Sequence, residues 1–351
     1  MLNRIIAFSV YNQWIIAVLA LGLIVLGVNE LKHLPIDAVP DITDNQVQVI
    51  TVAPSLGATD MERFITYPIE QNCMNIPGLK KLRSFSRLGL SIVTLVFEED
   101  VNIYWARQQV TEKLKSAEEM IPKGIAVPFL APVTTGLGEI YQYILKPQKG
   151  YENVYSLTDL RTIQDWVVRK HLLSIKGVAD VSSFGGKLKQ YEVQIDPSVL
   201  NAYQVTIQDI YQALSLNNTN SGGSYIEKEH NALFIRTEGL FQSIEDIQNT
   251  VIKSQKDGTP LFIKDVAQVK EGHAIRFGAM TYNDYGEVAG AVVMMLKGEN
   301  SSQVIQNVKK QIQEIQKILP KGVELVPYLD RTKMVNNAIS TVSNNLMEGA
   351  L

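Results

Sequence analysis

The chain has 351 residues, of which 46% are apolar and 20% are charged. Its 33 Lys and Arg residues nearly balance its 36 Asp and Glu residues, which leaves a formal net charge of −3. This balance argues against nucleic acid as a partner, because binding to phosphates needs a surplus of positive charge. The single cysteine, Cys73, excludes an intrachain disulfide framework and a thiolate metal cluster.

The N-terminal segment is strongly apolar, although the mean hydropathy of the whole chain is only +0.01. No formal charge interrupts residues 5–28, and a helix needs about 20 apolar residues to span a bilayer. A cleaved signal peptide is the alternative, but it has a shorter apolar core and ends at a small-x-small site. The sequence therefore favours a retained membrane anchor. Arg4, which precedes it, favours a cytoplasmic N-terminus, so that the bulk of the chain lies outside the cytoplasm.

The next segment alternates strand and helix patterns in the order β-α-β-β-α-β. The spacing of apolar residues predicts helices at 58–74 and 103–120, and strands at 46–52, 76–85, 91–97 and 125–130.

The same order recurs later in the chain. Residues 175–184 match residues 76–85 at an offset of 99, and residues 319–325 match residues 121–127 at an offset of 198. The second copy must therefore contain an insertion of about 99 residues, between Pro197 and Tyr285. Chance is the alternative, since Ile-x-Gly and Pro-Lys-Gly are common turn sequences. Two matches in the correct order favour a true repeat.

The insertion contains a polar, glycine-containing stretch. Residues 217–224 read Asn-Asn-Thr-Asn-Ser-Gly-Gly-Ser and lead into a segment at 225–238 that could form an extended ribbon. Such a stretch is either a surface loop or an arm that reaches a partner subunit. Composition alone leaves both interpretations open.

Sequence motifs of enzymes and metal sites are absent from the chain. The four histidines lie far apart, and there is no His-Glu-x-x-His, P-loop or dinucleotide motif. The sequence thus supports neither an enzyme nor a cofactor. Asp37, Asp41 and Asp44 form an acidic cluster, for which turn and cap chemistry around nearby prolines is the simpler interpretation and cation attraction the functional one. Met294 and Met295 point to opposite faces of a strand, which favours core packing over binding of one soft cation.

Several segments together resemble the resistance-nodulation-division (RND) transporters, in particular their heavy-metal efflux branch. The resemblance covers the whole chain. The matching segments are residues 34–49, 67–70, 104–107, 136–141, 159–166, 185–186, 190–197, 217–223 and 328–331. The Gly-Leu-Gly-Glu-Ile form at 136–140 is more similar to the cobalt-zinc-cadmium exporters than to the copper-silver exporters.

The resemblance implies an α+β fold in which a transmembrane helix precedes two ferredoxin-like βαββαβ porter subdomains, the second interrupted by an inserted α+β docking domain. The implied boundaries are 1–36 for the first transmembrane helix and its exit, 37–133 for the first porter subdomain, 134–196 and 286–331 for the two halves of the second, 197–285 for the docking domain, and 332–351 for the start of the second transmembrane helix.

The resemblance also implies an assembly. It predicts an inner-membrane homotrimer that exports heavy-metal cations and works with a periplasmic membrane-fusion adaptor and an outer-membrane channel. In such trimers an arm extends into the neighbouring protomer, and the residues that match it are Asn217, Asn218, Asn220, Gly222 and Gly223. Nucleic acid is not expected as a partner.

The expected function is that of the N-terminal part of a proton-driven pump. Members of the family continue through eleven more membrane helices, which carry the acidic proton-relay residues, and one helix cannot form a proton path. We therefore expect these residues not to transport alone. The alternative is a single-pass, membrane-anchored periplasmic adaptor or scaffold. A third reading, a protein-export accessory protein of the same superfamily, is disfavoured by the metal-branch motifs.

Overall fold

The computed structural model describes residues 8, 10–31, 43–122, 124–228, 231–254 and 258–350. Its first long element is helix α1 (Gln13–Leu31). Within these described ranges, no helix combines the length and the apolar character needed to cross a membrane. The predicted first membrane span is therefore not confirmed, and its flanks at 1–7 and 32–42 lie outside the described residues.

The first sheet consists of four strands in the order β2-β3-β1-β4, with β3 antiparallel to β2 and β1, and β1 antiparallel to β4. In β1, Val47, Val49 and Thr51 are buried and the residues between them are not, because successive side chains on a strand point to opposite faces. The strands are β1 (Gln46–Val52), β2 (Leu79–Arg87), β3 (Leu90–Phe97) and β4 (Phe129–Leu130).

Helical segments of the same part of the chain bury their apolar side chains in one core with this sheet. These segments are α2 (Ala58–Met61), a π-turn (Glu62–Thr66), α3 (Tyr67–Cys73) and α4 (Ile103–Met120). Helix α4 begins where the Asn102 side chain accepts a hydrogen bond from the Tyr104 amide at 2.9 Å. The shared core contains Val47, Val49, Val93, Leu95, Met61, Ile65, Ile69, Cys73, Val110 and Leu114.

The remaining elements follow in chain order. They are β5 (Glu139–Pro147), α5 (Leu157–Ile163), a second π-turn (Gln164–Val168), α6 (Arg169–Leu173), β6 (Val178–Gly185), β7 (Lys189–Ile195), α7 (Pro197–Tyr203), α8 (Ile207–Asn217), β8 (Ser221–Lys228), β9 (Asn231–Thr237), α9 (Ile244–Gln248), β10 (Val251–Ser254), β11 (Pro260–Phe262), α10 (Ile263–Val266), β12 (Ala267–His273), β13 (Met280–Tyr282), β14 (Gly286–Met295), α11 (Ser301–Ile318), β15 (Val323–Asp330) and α12 (Thr332–Ala350).

The second sheet repeats the strand order of the first. It runs β13-β14-β5-β15, and β6 also pairs with β14. When the insertion is left out, the order β6-β14-β5-β15 corresponds strand for strand to β2-β3-β1-β4. The long segment between β6 and β14 thus falls at the turn between the second and third strands of the repeat, where an inserted domain leaves the pairing intact.

Burial follows the same repeat. The first helical segment of each copy contains a π-turn, and four buried positions match between the two copies. The matched pairs, each 99 residues apart, are Met61 and Leu160, Ile65 and Gln164, Ile69 and Val168, and Cys73 and Leu172. The internal repeat predicted from the sequence is therefore visible in the folded chain.

The chain divides into two compact units, one made of residues 1–144, 166–183 and 291–351, and the other of residues 145–165 and 184–290. The antiparallel pairs described in the second unit are β7 with β12, β8 with β9, β10 with β11, and β13 with the start of β14. Its core is formed by Leu200, Val205, Ile210, Ile247, Leu261, Ile263, Val266 and Val269.

One predicted strand is much shorter than expected. The sequence pattern predicts a strand over 125–130, whereas the ladder with β1 includes only Phe129 and Leu130. Pro128 has no amide hydrogen to donate to a ladder, which accounts for the late start. Ile125 and Ala126 pack against the first core without belonging to the strand, whereas Val127 is exposed.

Candidate functional site

The acidic residues predicted near the start of the chain are only partly described. Asp37 and Asp41 lie outside the described residues. Asp44 is exposed, and its carboxylate lies 3.9 Å from the Arg83 guanidinium. An open cavity of about 520 Å³ beside it is lined by Lys80, Glu99 and Lys297 as well as Asp44. Both signs of charge line this cavity, and cation attraction by the three aspartates stays a prediction.

Metal-ligating side chains do not cluster in the described part of the chain, where no group of three or more His, Cys, Asp or Glu could hold a metal ion. The Nδ1 atoms of His171 and His273 lie 2.8 and 3.1 Å from backbone carbonyls. Burial raises the pKa of the Cys73 thiol to about 11, and the charge of Lys113 offsets only part of this rise. Cys73 is therefore a neutral core residue rather than a metal-binding thiolate.

The asparagines of the predicted arm hold the base of a β-ribbon. Asn217 ends α8 and donates from its side-chain amide to the Ala213 carbonyl at 2.8 Å. Asn218 accepts a hydrogen bond from the Phe241 amide at 3.0 Å, and Asn220 accepts one from the Gly239 amide at 2.9 Å. Asn218 and Asn220 thus link the chain that enters the ribbon to the chain that leaves it, whereas the Asn217 hydrogen bond stays within α8.

The predicted polar loop ends earlier than expected. Strand β8 already starts at Ser221, and the ladder shifts register between Gly222 and Tyr225. A Cβ atom on Gly223 would lie 2.4 Å from the Ile235 carbonyl oxygen. Glycine at position 223 therefore allows the two backbones to approach each other at this irregularity, and Gly222 and Gly223 belong to the ribbon itself.

The ribbon exposes a group of apolar side chains. Tyr225 and Phe234 are directly opposed across its strands, with ring centroids 6.1 Å apart. Phe234 is 82% exposed. A two-stranded ribbon is marginally stable alone, because few of its side chains are buried. The exposed apolar residues, which we name the ribbon patch, are Tyr225, Ile226, Leu233, Phe234 and Ile235.

Two motifs far apart in the sequence meet in the first unit. An Arg331 Nη1 donates to the Leu137 carbonyl at 3.0 Å, and the Asp330 carboxylate lies 2.5 Å from Lys309 Nζ. Burial, and secondarily the charge of Asp330, raises the pKa of Tyr141 to about 12. Sequence reasoning noted residues 136–141 and 328–331 separately, and no local pattern indicated that they touch.

In the second unit, two other motifs noted in the sequence also contact each other. Arg161 donates from Nε to Asp165 at 2.8 Å and from Nη1 to the Gly185 carbonyl at 2.7 Å. Gly185 and Gly186 both have φ near +65°. Arg161 therefore holds the double-glycine turn that follows β6, and so links two segments that the sequence indicated only as separate motifs.

The two sheets have equivalent strand orders, and a long segment separates the strands of the second copy. The model of the AcrB/AcrD/AcrF family matches residues 5–351. The chain belongs to this family.

Curated relatives of the chain include proteins named for cation efflux and metal resistance. The chain is 43% identical over 353 residues to protein HelA of Legionella pneumophila. It is 40% identical over 355 residues to the cobalt-zinc-cadmium resistance protein CzcA of Cupriavidus metallidurans, and 36% identical over 348 residues to the cation efflux system protein CusA of Escherichia coli. These matches cover 99–100% of this chain and 33% of each relative. The chain thus spans about a third of the length of the curated relatives it matches.

Solved structures of a heavy metal efflux pump also match the chain. A crystal structure of a heavy metal efflux pump matches with a TM-score of 0.84 and 34% sequence identity, over 99% of this chain and 34% of the pump chain. A second crystal form matches with a TM-score of 0.85 and 33% identity. The mixed α/β fold is therefore that of the corresponding part of a heavy-metal efflux pump.

Proposed function

We propose that this chain serves as the N-terminal portion of an inner-membrane, proton-driven efflux pump for heavy-metal cations. The observation that carries the proposal is the match of 99% of the chain to a heavy metal efflux pump structure, with a TM-score of 0.84. The cobalt-zinc-cadmium and cation efflux relatives agree with this choice of substrate class. Because those relatives are about three times as long, we infer that these residues supply part of the pump and do not transport alone.

Helix α1 is proposed as the first membrane segment. The absence of formal charge over residues 5–28 supports this role. The exposure of Val18, Leu19 and Ile24, which lie on different sides of the helix, supports it too. A helix that exposes apolar side chains all round is suited to a lipid environment. With Arg4 on the cytoplasmic side, the rest of the chain lies in the periplasm, and α12 begins the second membrane segment.

The two sheets are proposed to be the ferredoxin-like porter subdomains of the pump, with residues 37–133 in the first and residues 134–196 and 286–331 in the second. Their equivalent strand orders support this assignment. Residues 197–285 form the proposed docking domain. In the complete pump, clefts between porter subdomains would open and close as protons cross the membrane part, so that cations are taken up and released on different sides.

The ribbon patch is proposed to lie against a neighbouring protomer in a homotrimer. Apolar side chains on both strands support this role, because covering them with protein removes apolar surface from water. Asn217, Asn218, Asn220, Gly222 and Gly223 form the proposed base of the arm. The docking domain would contact the outer-membrane channel and the membrane-fusion adaptor, as the family resemblance implies.

A metal-tolerance profile tests the proposed function. The coding region for this chain would be deleted in the host, and growth would be compared across Zn, Co, Ni, Cd, Cu and Ag. We expect tolerance to at least one of these metals to fall and to recover when the complete gene is restored. Unchanged tolerance to all six metals would contradict the proposal. Slowed protein secretion with unchanged tolerance would favour an export accessory protein instead.

A further inference from the structure

The N-terminal end of α12 is bound to two other parts of the first unit. Asp330, immediately before the helix, accepts hydrogen bonds from the Thr332 amide at 2.9 Å and from the Thr332 hydroxyl. Its other carboxylate oxygen lies 2.5 Å from Lys309 Nζ, in the middle of α11. One carboxylate thus caps the first turn of α12 and attaches it to a neighbouring helix.

Arg331 makes the second connection. Its Nη1 donates to the Leu137 carbonyl, 194 residues earlier in the chain. Its own carbonyl accepts the Val335 amide at 3.0 Å, within the first turn of α12. Val335 is only 2% exposed, so the first turn is packed rather than frayed. Leu137 and α12 are therefore joined through a single residue.

The loop that contains Leu137 has little freedom of its own. We name residues 133–138 the β5 loop, because it precedes β5. Its Gly138 amide donates to the Thr135 carbonyl at 2.9 Å, and its Gly138 carbonyl accepts the Met295 amide at 2.7 Å. A Cβ atom on Gly138 would lie 3.0–3.2 Å from three different atoms. A displacement of Leu137 is therefore expected to move the whole loop, because these contacts hold its residues together.

We propose that Lys309, Asp330 and Arg331 form a coupling joint that makes the position of α12 and the conformation of the β5 loop interdependent. If α12 moves relative to α11, either the loop moves with it or the Arg331–Leu137 hydrogen bond breaks. These three are positioning residues. The use of the joint in a pump rests on the proposed function, in which α12 enters the membrane, whereas the coupling itself is a property of this chain.

Hydrogen exchange of the purified 351-residue chain tests the coupling without any transport assay. Arg331→Gln removes the link to Leu137. We expect amides of the β5 loop and of the first turn of α12 to exchange faster together, by about tenfold, as loss of one charged hydrogen bond predicts. Arg331→Lys retains a donor and should restore part of the protection at both ends.

A second variant keeps the helix cap. Asp330→Asn still caps α12, since asparagine is an equally good cap, but it loses the charge that faces Lys309. We expect faster exchange at the β5 loop in this variant too. Conversely, Gly138→Ala perturbs the loop and should raise exchange at Val335, because coupling is reciprocal.

Arg169→Gln is the matched control. Arg169 donates to the Val181 carbonyl and to Asp180, both at 2.9 Å, elsewhere in the same unit. Its loss should leave the β5 loop and α12 unchanged. The proposal is overturned if Arg331→Gln affects only one of the two ends, or if exchange rises equally in β1 and β3, which would indicate a general loss of stability. Metal tolerance plays no part in this result, so the two proposals can fail separately.

Discussion

Gly78 and Gly177 lie 99 residues apart and occupy the same corner of the two copies of the repeat. Both have positive φ, +75° and +90°. A Cβ atom on Gly78 would lie 2.7 Å from a Val101 methyl group, and one on Gly177 would lie 2.6 Å from a Val304 methyl group. A valine methyl group therefore lies against the glycine in both copies, although Val101 precedes α4 by two residues and Val304 is the fourth residue of α11.

Alanine at either glycine should destabilise the fold. We expect Gly78→Ala and Gly177→Ala to lower the free energy of unfolding by about 2–4 kcal/mol, since left-handed backbone costs about 1–2 kcal/mol and overpacking adds to it. Gly150 is the matched control, because it has φ +92° and a Cβ atom added there would meet no atom within 4 Å. Urea unfolding of Gly150→Ala should show a loss of about 1 kcal/mol in the free energy of unfolding, which is the cost of the left-handed backbone alone. Equal losses in all three variants would contradict the role of the two valines.

Asp330 should make stability depend on pH. Burial would raise the pKa of this carboxyl, but hydrogen bonds from Lys309 and Thr332 outweigh burial and lower the pKa below its ordinary value. A lowered folded-state pKa means that the contribution is fully present above the unfolded-state value of about 3.9 and is lost as the pH falls through the folded-state value.

The measurement is the difference in unfolding free energy between the wild type and Asp330→Asn. We expect this difference to be constant between about pH 5 and 7 and to shrink as the pH falls below about 4. Lys309→Met removes the other partner of the ion pair and should therefore reduce the same pH dependence of the unfolding free energy. A difference that grows on acidification would contradict the assignment.

Cys73 should be chemically inert in the folded chain. Burial raises the pKa of its thiol to about 11, and only the thiolate reacts with disulfide reagents. At pH 8 we expect labelling to be at least about 100-fold slower in the folded chain than in urea. The double variant Cys73→Ala/Met74→Cys is the control, because Met74, at the next position, is 61% exposed. Fast labelling of wild-type Cys73 would show that this core opens readily.

The ribbon patch should contribute to formation of the trimer. Phe234→Asp places a charge at the most exposed member of the patch, and we expect native mass spectrometry of the complete pump to detect less trimer. Phe277, which is 69% exposed outside the ribbon, supplies the matched control Phe277→Asp. Deletion of residues 217–223 removes the base of the arm and should weaken the trimer as well. Undiminished trimer in Phe234→Asp would count against the arm.

Local patterns in the sequence were sufficient for the elements that depend on neighbouring residues. The predicted strand 46–52 and helix 103–120 coincide with β1 and α4, because strand alternation and the helical spacing of apolar residues are short-range signals. The offset between repeated turns predicted an insertion between Pro197 and Tyr285, and these bounds stay a prediction, since β7 (Lys189–Ile195), which precedes Pro197, pairs with β12. In contrast, the π-turns were not predicted, although the buried residues Met61, Ile65, Ile69 and Cys73 repeat every four residues rather than about every 3.6.

Contacts between distant residues were not predictable in this way. The Arg331–Leu137 hydrogen bond joins positions 194 residues apart, and nothing in either motif specifies the other. The ribbon illustrates the same limit, because the polar run at 217–224 suggested a loop, whereas pairing with β9 converts residues from Ser221 onward into a strand. Strand pairing depends on contacts between separate segments of the chain, so composition alone does not predict it.

The most direct test of the central claim is the metal content of cells, measured by inductively coupled plasma mass spectrometry after loading with the metal to which the deletion strain is most sensitive. If these residues are part of an efflux pump, the deletion strain retains more metal than the wild type, and the complete gene restores export. The Phe234→Asp gene should restore less export than the Phe277→Asp gene. Equal metal retention in the wild type and the deletion strain would contradict the account.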